Sequence, residues 1–305
     1  MSPAFGLGLP VVQQVPGRGQ PWEREAGGEE LARIAAEAET LGFDHVSCSD
    51  HVLVPRSRVG AMGAEWYDAA ATLGFLAGVT RRVRLLTHVV VLPYRHPLIT
   101  AKAFGTLDRL SGGRVILGVG SGHLKPEFSV LGVPYEERGR RTDEYMRAIR
   151  AAWASEVVTF EGETVSFHDV LVAPRPRQHT RARAGPPMWV GGNSPVAVRR
   201  AARLGDGWIP WDVSVEVFAA AVERARAIAT AVRRETSLDF VAPLRVDLGD
   251  DAARTTERIA AWGRAGATAF HVGIAHRSLG ELLERMQWFA ALAMPDAAPA
   301  PPAAG

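Results

Sequence analysis

Eight short apolar segments recur along the chain, each followed by a stretch of helical periodicity, and this alternation limits the fold more than any other feature. The strand candidates are Phe5 to Leu9, Asp44 to Cys48, Val83 to Val91, Arg114 to Val119, Met188 to Val190, Gly207 to Ile209, Leu238 to Val246 and Ala267 to Val272. The helical ones are Glu29 to Leu41, Tyr67 to Gly78, Pro97 to Leu110, Arg138 to Ala154, Pro195 to Leu204, Val215 to Glu235, Ala252 to Ala265 and Leu279 to Leu292. Strands apolar on both faces must be covered by helices. Strand then helix, eight times over, predicts an α/β fold of the (β/α)8 TIM-barrel kind. The 305 residues suffice, since such a barrel needs roughly 250.

Local chemistry supports several boundaries. Leu41-Gly42, Leu204-Gly205 and Ala265-Gly266 each place glycine just past a helix, where a left-handed residue ends it. Between Val157 and Val172 the pattern changes to two short alternating runs around Glu161-Gly162, which predicts an inserted β-hairpin. Pro-rich sequence up to Pro187 leads back to the fifth strand, so the insertion covers about residues 157–187. One domain spans 1–292, and the Ala/Pro-rich residues 293–305 read as a disordered tail.

Composition removes several function classes. With 35 basic against 33 acidic residues and no basic run, nothing suggests a nucleic-acid partner. Met1 to Gly6 lack a charged region followed by an apolar stretch, and no segment approaches about 18 consecutive apolar residues. A cytoplasmic chain without a membrane partner is expected. The single Cys48 excludes an internal disulfide and a cysteine-cluster metal site, and it reads as a small apolar strand residue.

In a barrel of this kind, residues that follow the strands converge on one mouth. That filter selects Ser49-Asp50-His51, Thr87-His88 with Tyr94-Arg95-His96, Gly120 to His123, and Gly191-Gly192-Asn193-Ser194. The run Gly118-Val119-Gly120-Ser121-Gly122-His123 fails three known motifs. His123 stands where the dinucleotide fingerprint needs glycine, Val119 and His123 flank Ser121 where a nucleophile elbow needs glycines, and no Gly-Lys exists for a Walker loop. Glycines here predict close backbone approach to a ligand, with Ser121 and His123 facing it. In Gly191 to Pro195, Ser194 suits the N-cap and Pro195 the first helical position. An ordinary loop and cap would look the same; position at the mouth favours a ligand phosphate on the helix start. Ser49-Asp50-His51 offers too few ligands for a metal, since Phe5 to Leu9 adds none, so no metal is expected. Ser121 has no identified base.

Asp44-His45-Val46 with Ser49-Asp50-His51, Leu86-Thr87-His88-Val89 with Tyr94-Arg95-His96-Pro97, and Gly118 to Gly122 with Glu127-Phe128 follow one another in order. After them come Leu131-Gly132-Val133-Pro134, Glu137-Arg138-Gly139 and Gly191 to Pro195. Together, across about residues 5 to 290, they resemble the bacterial luciferase-like monooxygenase superfamily, and within it the branch that uses the deazaflavin coenzyme F420. The resemblance implies a flavin or deazaflavin ring in the mouth near Asp50 and His51, against a bulge with a non-prolyl cis peptide at Thr87-His88. It places Gly120, Ser121 and Gly122 on the cofactor's side chain, and Gly191, Gly192, Asn193 and Ser194 on its phosphate. His123 stands where many relatives carry Trp or Glu, so it joins His51 and Asp50 as a candidate for catalysis.

The activity so implied is hydride transfer between F420 and a small organic substrate, with His51 or His123 as acid/base. FMN is the alternative cofactor, in a two-component flavin monooxygenase. A non-catalytic flavin- or deazaflavin-binding barrel is a third possibility, which the lid-sized segment 157–187 disfavours. A homodimer and a separate cofactor reductase are the expected partners beside the small-molecule substrate.

Overall fold

The computed structural model describes residues 3–180 and 183–295. Eight parallel strands, Ala4–Gly8, His45–Cys48, Arg84–Thr87, Val115–Gly120, Met188–Gly191, Gly207–Ile209, Asp239–Val246 and Ala269–Ile274, pair in chain order. The ring closes because the last strand pairs with the first, Ala4 opposite Ala269 through Leu7 opposite Val272, and the fourth pairs with the fifth. The eight expected helices surround it, and the chain is a (β/α)8 barrel. Among the described residues no helix is long and apolar enough to cross a membrane.

Strand alternation divides the apolar residues between two cores. Leu86, Ile116, Trp189, Ile209, Val241 and Ala269 point into the barrel and pack together. Their neighbours, such as Leu85, Val115, Val190 and Phe270, point outward and join the larger core beneath the helices.

Where boundaries depart from expectation, the cause is local. The stretch 83–91 is not one strand: Arg84–Thr87 ends, the chain bulges, and Val90–Val91 pairs separately with the fourth strand. The second helix begins at Ala69 because the Asp68 carboxylate accepts a bond from Ala71 N–H at 2.8 Å and caps it there. Gly42 and Gly266 have the left-handed φ, +84° and +97°, expected of helix-ending glycines. Gly205 does not, with φ −91°; glycine stands there because a Cβ would sit 2.8 Å from Val190 Cγ2.

The hairpin forms from Val157–Glu161 and Ser166–Leu171. Val158 and Phe167 pack on Ala148 of the helix Arg138–Ala154. The turn is clasped by Glu144 of that helix, which accepts bonds from the N–H groups of Glu163, Thr164 and Val165 at 3.0, 2.8 and 2.7 Å. The hairpin is thus held to this helix both along its strands and at its turn. Most of the expected tail, 296–305, lies outside the described residues.

Candidate active site at the barrel mouth

The second strand delivers Asp50 and His51 to the mouth, and the two side chains turn to different work. Asp50 is buried, and its carboxylate takes both guanidinium nitrogens of Arg95 at 2.7 Å and the N–H of Val91 at 3.2 Å. Both oxygens are therefore engaged in holding the bulge after the third strand. Arg95 followed that strand in the sequence, but no local signal marked it as Asp50's partner 45 residues away.

His51 faces the opening. Its Nδ1–H donates to Glu127 Oε2 at 2.9 Å, and its ring packs edge-on against Trp66, with centroids 4.5 Å apart. Glu127 lies on the short helix Lys125–Val130 after the fourth strand and is fully buried. Its other bonds come from Tyr94 O–H at 2.7 Å and the N–H groups of Val52 and Leu53 at 2.8 and 3.3 Å. Burial alone would raise this carboxyl, but the bonds from His51 and Tyr94 outweigh it and hold Glu127 below the usual carboxylate range. A fixed anion at Nδ1 selects the Nδ1–H tautomer and leaves the Nε2 lone pair of His51 as a proton acceptor. Glu127 was visible in the sequence only as part of the family pattern, since a lone glutamate on a short helix usually faces water.

His123 joins the same corner, its ring centroid 5.9 Å from that of His51. Burial first, and then the neighbouring His51, push its pKa down. The two candidate histidines, separated by 72 positions in the chain, do meet.

The glycines at the ends of the fourth and fifth strands lie close against the protein's own side chains. A Cβ on Gly120 would stand 2.6 Å from Val89 Cγ2, and one on Gly191 would stand 2.7 Å from Val89 Cγ1. Gly122, at φ +73°, would meet Val91 and Phe128 at 2.7 and 2.8 Å. These glycines make room for the bulge, whose non-prolyl cis peptide lies at His88-Val89. That is one residue beyond the expected Thr87-His88, because Thr87 still belongs to the strand. It pairs with Cys48, and its buried hydroxyl donates to Gly118 O at 2.7 Å. Ser121 and His88 are partly exposed at the mouth.

The fifth strand ends in a loop built for a helix start. Ser194 Oγ accepts from Ala197 N–H at 3.2 Å and caps Pro195–Leu204. Gly192 has φ +115°, a conformation side chains rarely adopt, and its carbonyl accepts from Trp208 Nε1–H at 2.8 Å. The Asn193 amide is spent on the backbone of Trp211: Nδ2–H donates to its carbonyl at 2.6 Å and Oδ1 accepts from its N–H at 3.1 Å. Asn193 therefore orders the loop after the sixth strand, and a phosphate here would meet the helix-start N–H groups and Ser194. Trp211 itself is 57% exposed. Cys48 is buried, and burial pushes its thiol up to about 12, so it is inert.

A parallel (β/α)8 barrel whose mouth gathers an oriented histidine, a buried carboxylate and a capped helix start has the architecture of an enzyme. A family model described as luciferase-like monooxygenase matches residues 6–301, and the chain belongs to that family. An F420-dependent glucose-6-phosphate dehydrogenase of Amycolatopsis mediterranei is 37% identical over 187 residues, 60% of this chain and 53% of that protein. Its namesake in Beutenbergia cavernae is 36% identical over 249 residues, 79% of this chain and 70% of that one. The chain thus spans about half the length of the first relative and 70% of the second. Among solved structures, monooxygenase RslO1 from Streptomyces bottropensis superposes with a TM-score of 0.74 at 25% identity, covering 97% of this chain and all of that one.

Proposed function

We propose that the chain is a coenzyme F420-dependent oxidoreductase that moves a hydride between the deazaflavin and a small organic substrate such as an alcohol. The observation that carries the reading is His51, fixed by buried Glu127 so that Nε2 stands as a base at the mouth. The F420-dependent dehydrogenases among its relatives support the choice of cofactor.

The residues present fit such a group. The start of the helix Pro195–Leu204, with Gly192 and Ser194 before it, would hold a phosphate. The bulge at His88-Val89 and the pair His51 and Trp66 would border the ring, while Asp50 and Arg95 hold that bulge in place. When bound, the deazaflavin supplies a carbon centre that accepts or donates hydride. The protein's part is the proton. His51 Nε2 takes it from a substrate hydroxyl, and Glu127 stabilises the imidazolium that results. In the reverse direction the imidazolium returns it. His123 and Trp66 crowd the same ring and restrict water around it.

The test mixes the protein anaerobically with F420 and a panel of alcohols that includes sugar phosphates. Loss of F420 absorbance with one of them supports the reading. Oxygen uptake dependent on reduced FMN and a separate reductase, with no change in F420, would move the chain to the monooxygenase activity named for the Streptomyces bottropensis structure.

A further inference from the structure

A barrel interior is normally filled by branched apolar side chains, yet this one contains three histidines. His45 opens the second strand and is fully buried, His271 lies within the eighth, and His88 follows the third at the mouth. The rings of His45 and His271 are parallel, with centroids 6.1 Å apart and planes 7° apart. Those of His271 and His88 are 4.3 Å apart, joined by a hydrogen bond of 3.1 Å between His271 Nε2 and His88 Nδ1. Gly6, paired with His271 on one side and next in register to His45 on the other, makes the room. A Cβ there would stand 1.9 Å from His45 Nε2.

The lower end is tied to charge. His45 Nδ1 lies 2.9 Å from Asp44 Oδ2, and Asp44 is 28% exposed at the amino-terminal face of the barrel. Arg84 pairs with Asp44 at 3.1 Å, and Asp239 accepts from Trp189 Nε1–H at 3.1 Å beside the His45 ring. Two nitrogens in the column are buried without a partner, His45 Nε2 and His271 Nδ1. They are complementary. Asp44, held ionised by His45 and Arg84 against the pull of burial, fixes His45 as the Nδ1–H tautomer with a bare Nε2. If His271 carries its proton on Nδ1, its Nε2 accepts from His88 Nδ1–H. Buried polar atoms left in this way call for a water.

We propose that His88, His271 and His45 form a proton relay along the barrel axis, from the mouth to Asp44, with one buried water between His271 Nδ1 and His45 Nε2. The relay rests on the reading above, in which His51 takes the substrate proton at a mouth that bound cofactor and substrate close to bulk water; a water held there carries it from His51 Nε2 to His88. His88 Nε2 binds that proton as its Nδ1–H bond breaks toward His271 Nε2. His271 gives its Nδ1 proton to the water, the water gives one of its own to His45 Nε2, and His45 passes its Nδ1 proton to Asp44 and solvent. Charge and atoms balance at every step, and each ring ends as the opposite tautomer. Once substrate and cofactor leave, the same transfers run in reverse and His88 sheds its Nε2 proton to water. The three rings lie along an axis instead of converging, and among the described residues no cluster of three such side chains is arranged for a metal.

Imidazole nitrogen NMR on the unliganded protein reads the starting state directly, independent of any cofactor. The expected result is three neutral rings, each protonated at Nδ1. An Nε2–H tautomer at His45 or His271 overturns the relay. The kinetic arm uses His45→Phe, which keeps a ring against Trp189 without nitrogens, and His45→Gln in case the first fails to fold. In a single turnover followed with a pH indicator, proton release should slow at least tenfold while F420 affinity stays within threefold. Unchanged release in a folded variant overturns the proposal. If F420 does not bind at all, the cofactor reading fails and the NMR arm still decides the relay.

Discussion

Glu127 and Asp50 are both buried carboxylates at the mouth, yet their partners give them different roles. Glu127 contacts the base, so Glu127→Gln should keep the Tyr94 contact but release His51 from its tautomer. Turnover should fall by about 10²-fold or more, and His51→Ala by roughly 10²- to 10⁴-fold, with cofactor affinity within a few-fold. His123→Ala should cost far less, because His123 has no carboxylate holding it. Equal losses at His51 and His123 would mean that the two share the proton. Asp50 spends both oxygens on Arg95, so Asp50→Asn breaks a buried pair, which typically costs about 3–5 kcal/mol. Urea unfolding checks this, and unchanged stability with lost turnover would return Asp50 to the chemistry.

At the scale of elements, the helix start after the fifth strand separates cap from ligand site. Substitution of Gly192 would strain a backbone at φ +115°, so it cannot isolate the phosphate contribution. Ser194→Asp can, because aspartate caps as well as serine but places a negative charge where an anion would sit. Calorimetry should show at least a tenfold loss of F420 affinity, about 1.4 kcal/mol, with an unchanged melting temperature. Unaltered affinity would mean that the phosphate lies elsewhere. The insertion shows what a pattern of elements leaves open. Its hairpin was legible from alternation, but its anchorage was not, because it depends on Glu144 meeting a turn 19 to 21 residues further along the chain.

For the whole molecule, the histidines within and at the mouth of the barrel set an acid limit on stability. Burial, followed by the cost of placing a second positive ring near His45, pushes His88 from 6.5 down to about 4, and burial lowers His45 and His271 as well. The unfolded chain gains a proton on His88 below pH 6.5, whereas the folded one waits until about 4. Stability is therefore complete above 6.5 and declines as pH falls toward 4. The melting temperature should drop by several degrees across that window, and His88→Gln should flatten the decline. A flat profile in the unsubstituted protein would show that the fold does not hold these rings neutral.

The barrel itself was legible because eight doubly apolar strands with eight following helices admit few other folds. Asp50, His51 and His123 could be placed at one mouth because barrel topology alone brings strand ends together. The Arg95 and Glu127 partnerships were not, since pairings 45 and 76 residues apart leave no periodic trace. The packing at Gly120 and Gly191 was not legible for a related reason: sequence shows that a backbone is bare, not that Val89 lies against it.

Cofactor choice at the mouth can be read by titration. The protein has eight tryptophans, with Trp66 and Trp211 at the mouth, so binding there should quench intrinsic fluorescence. F420 should quench it saturably with a dissociation constant in the micromolar range or tighter, and FMN should bind more weakly. Tighter binding of FMN, or no saturable response to either, would mean that F420 is not the cofactor.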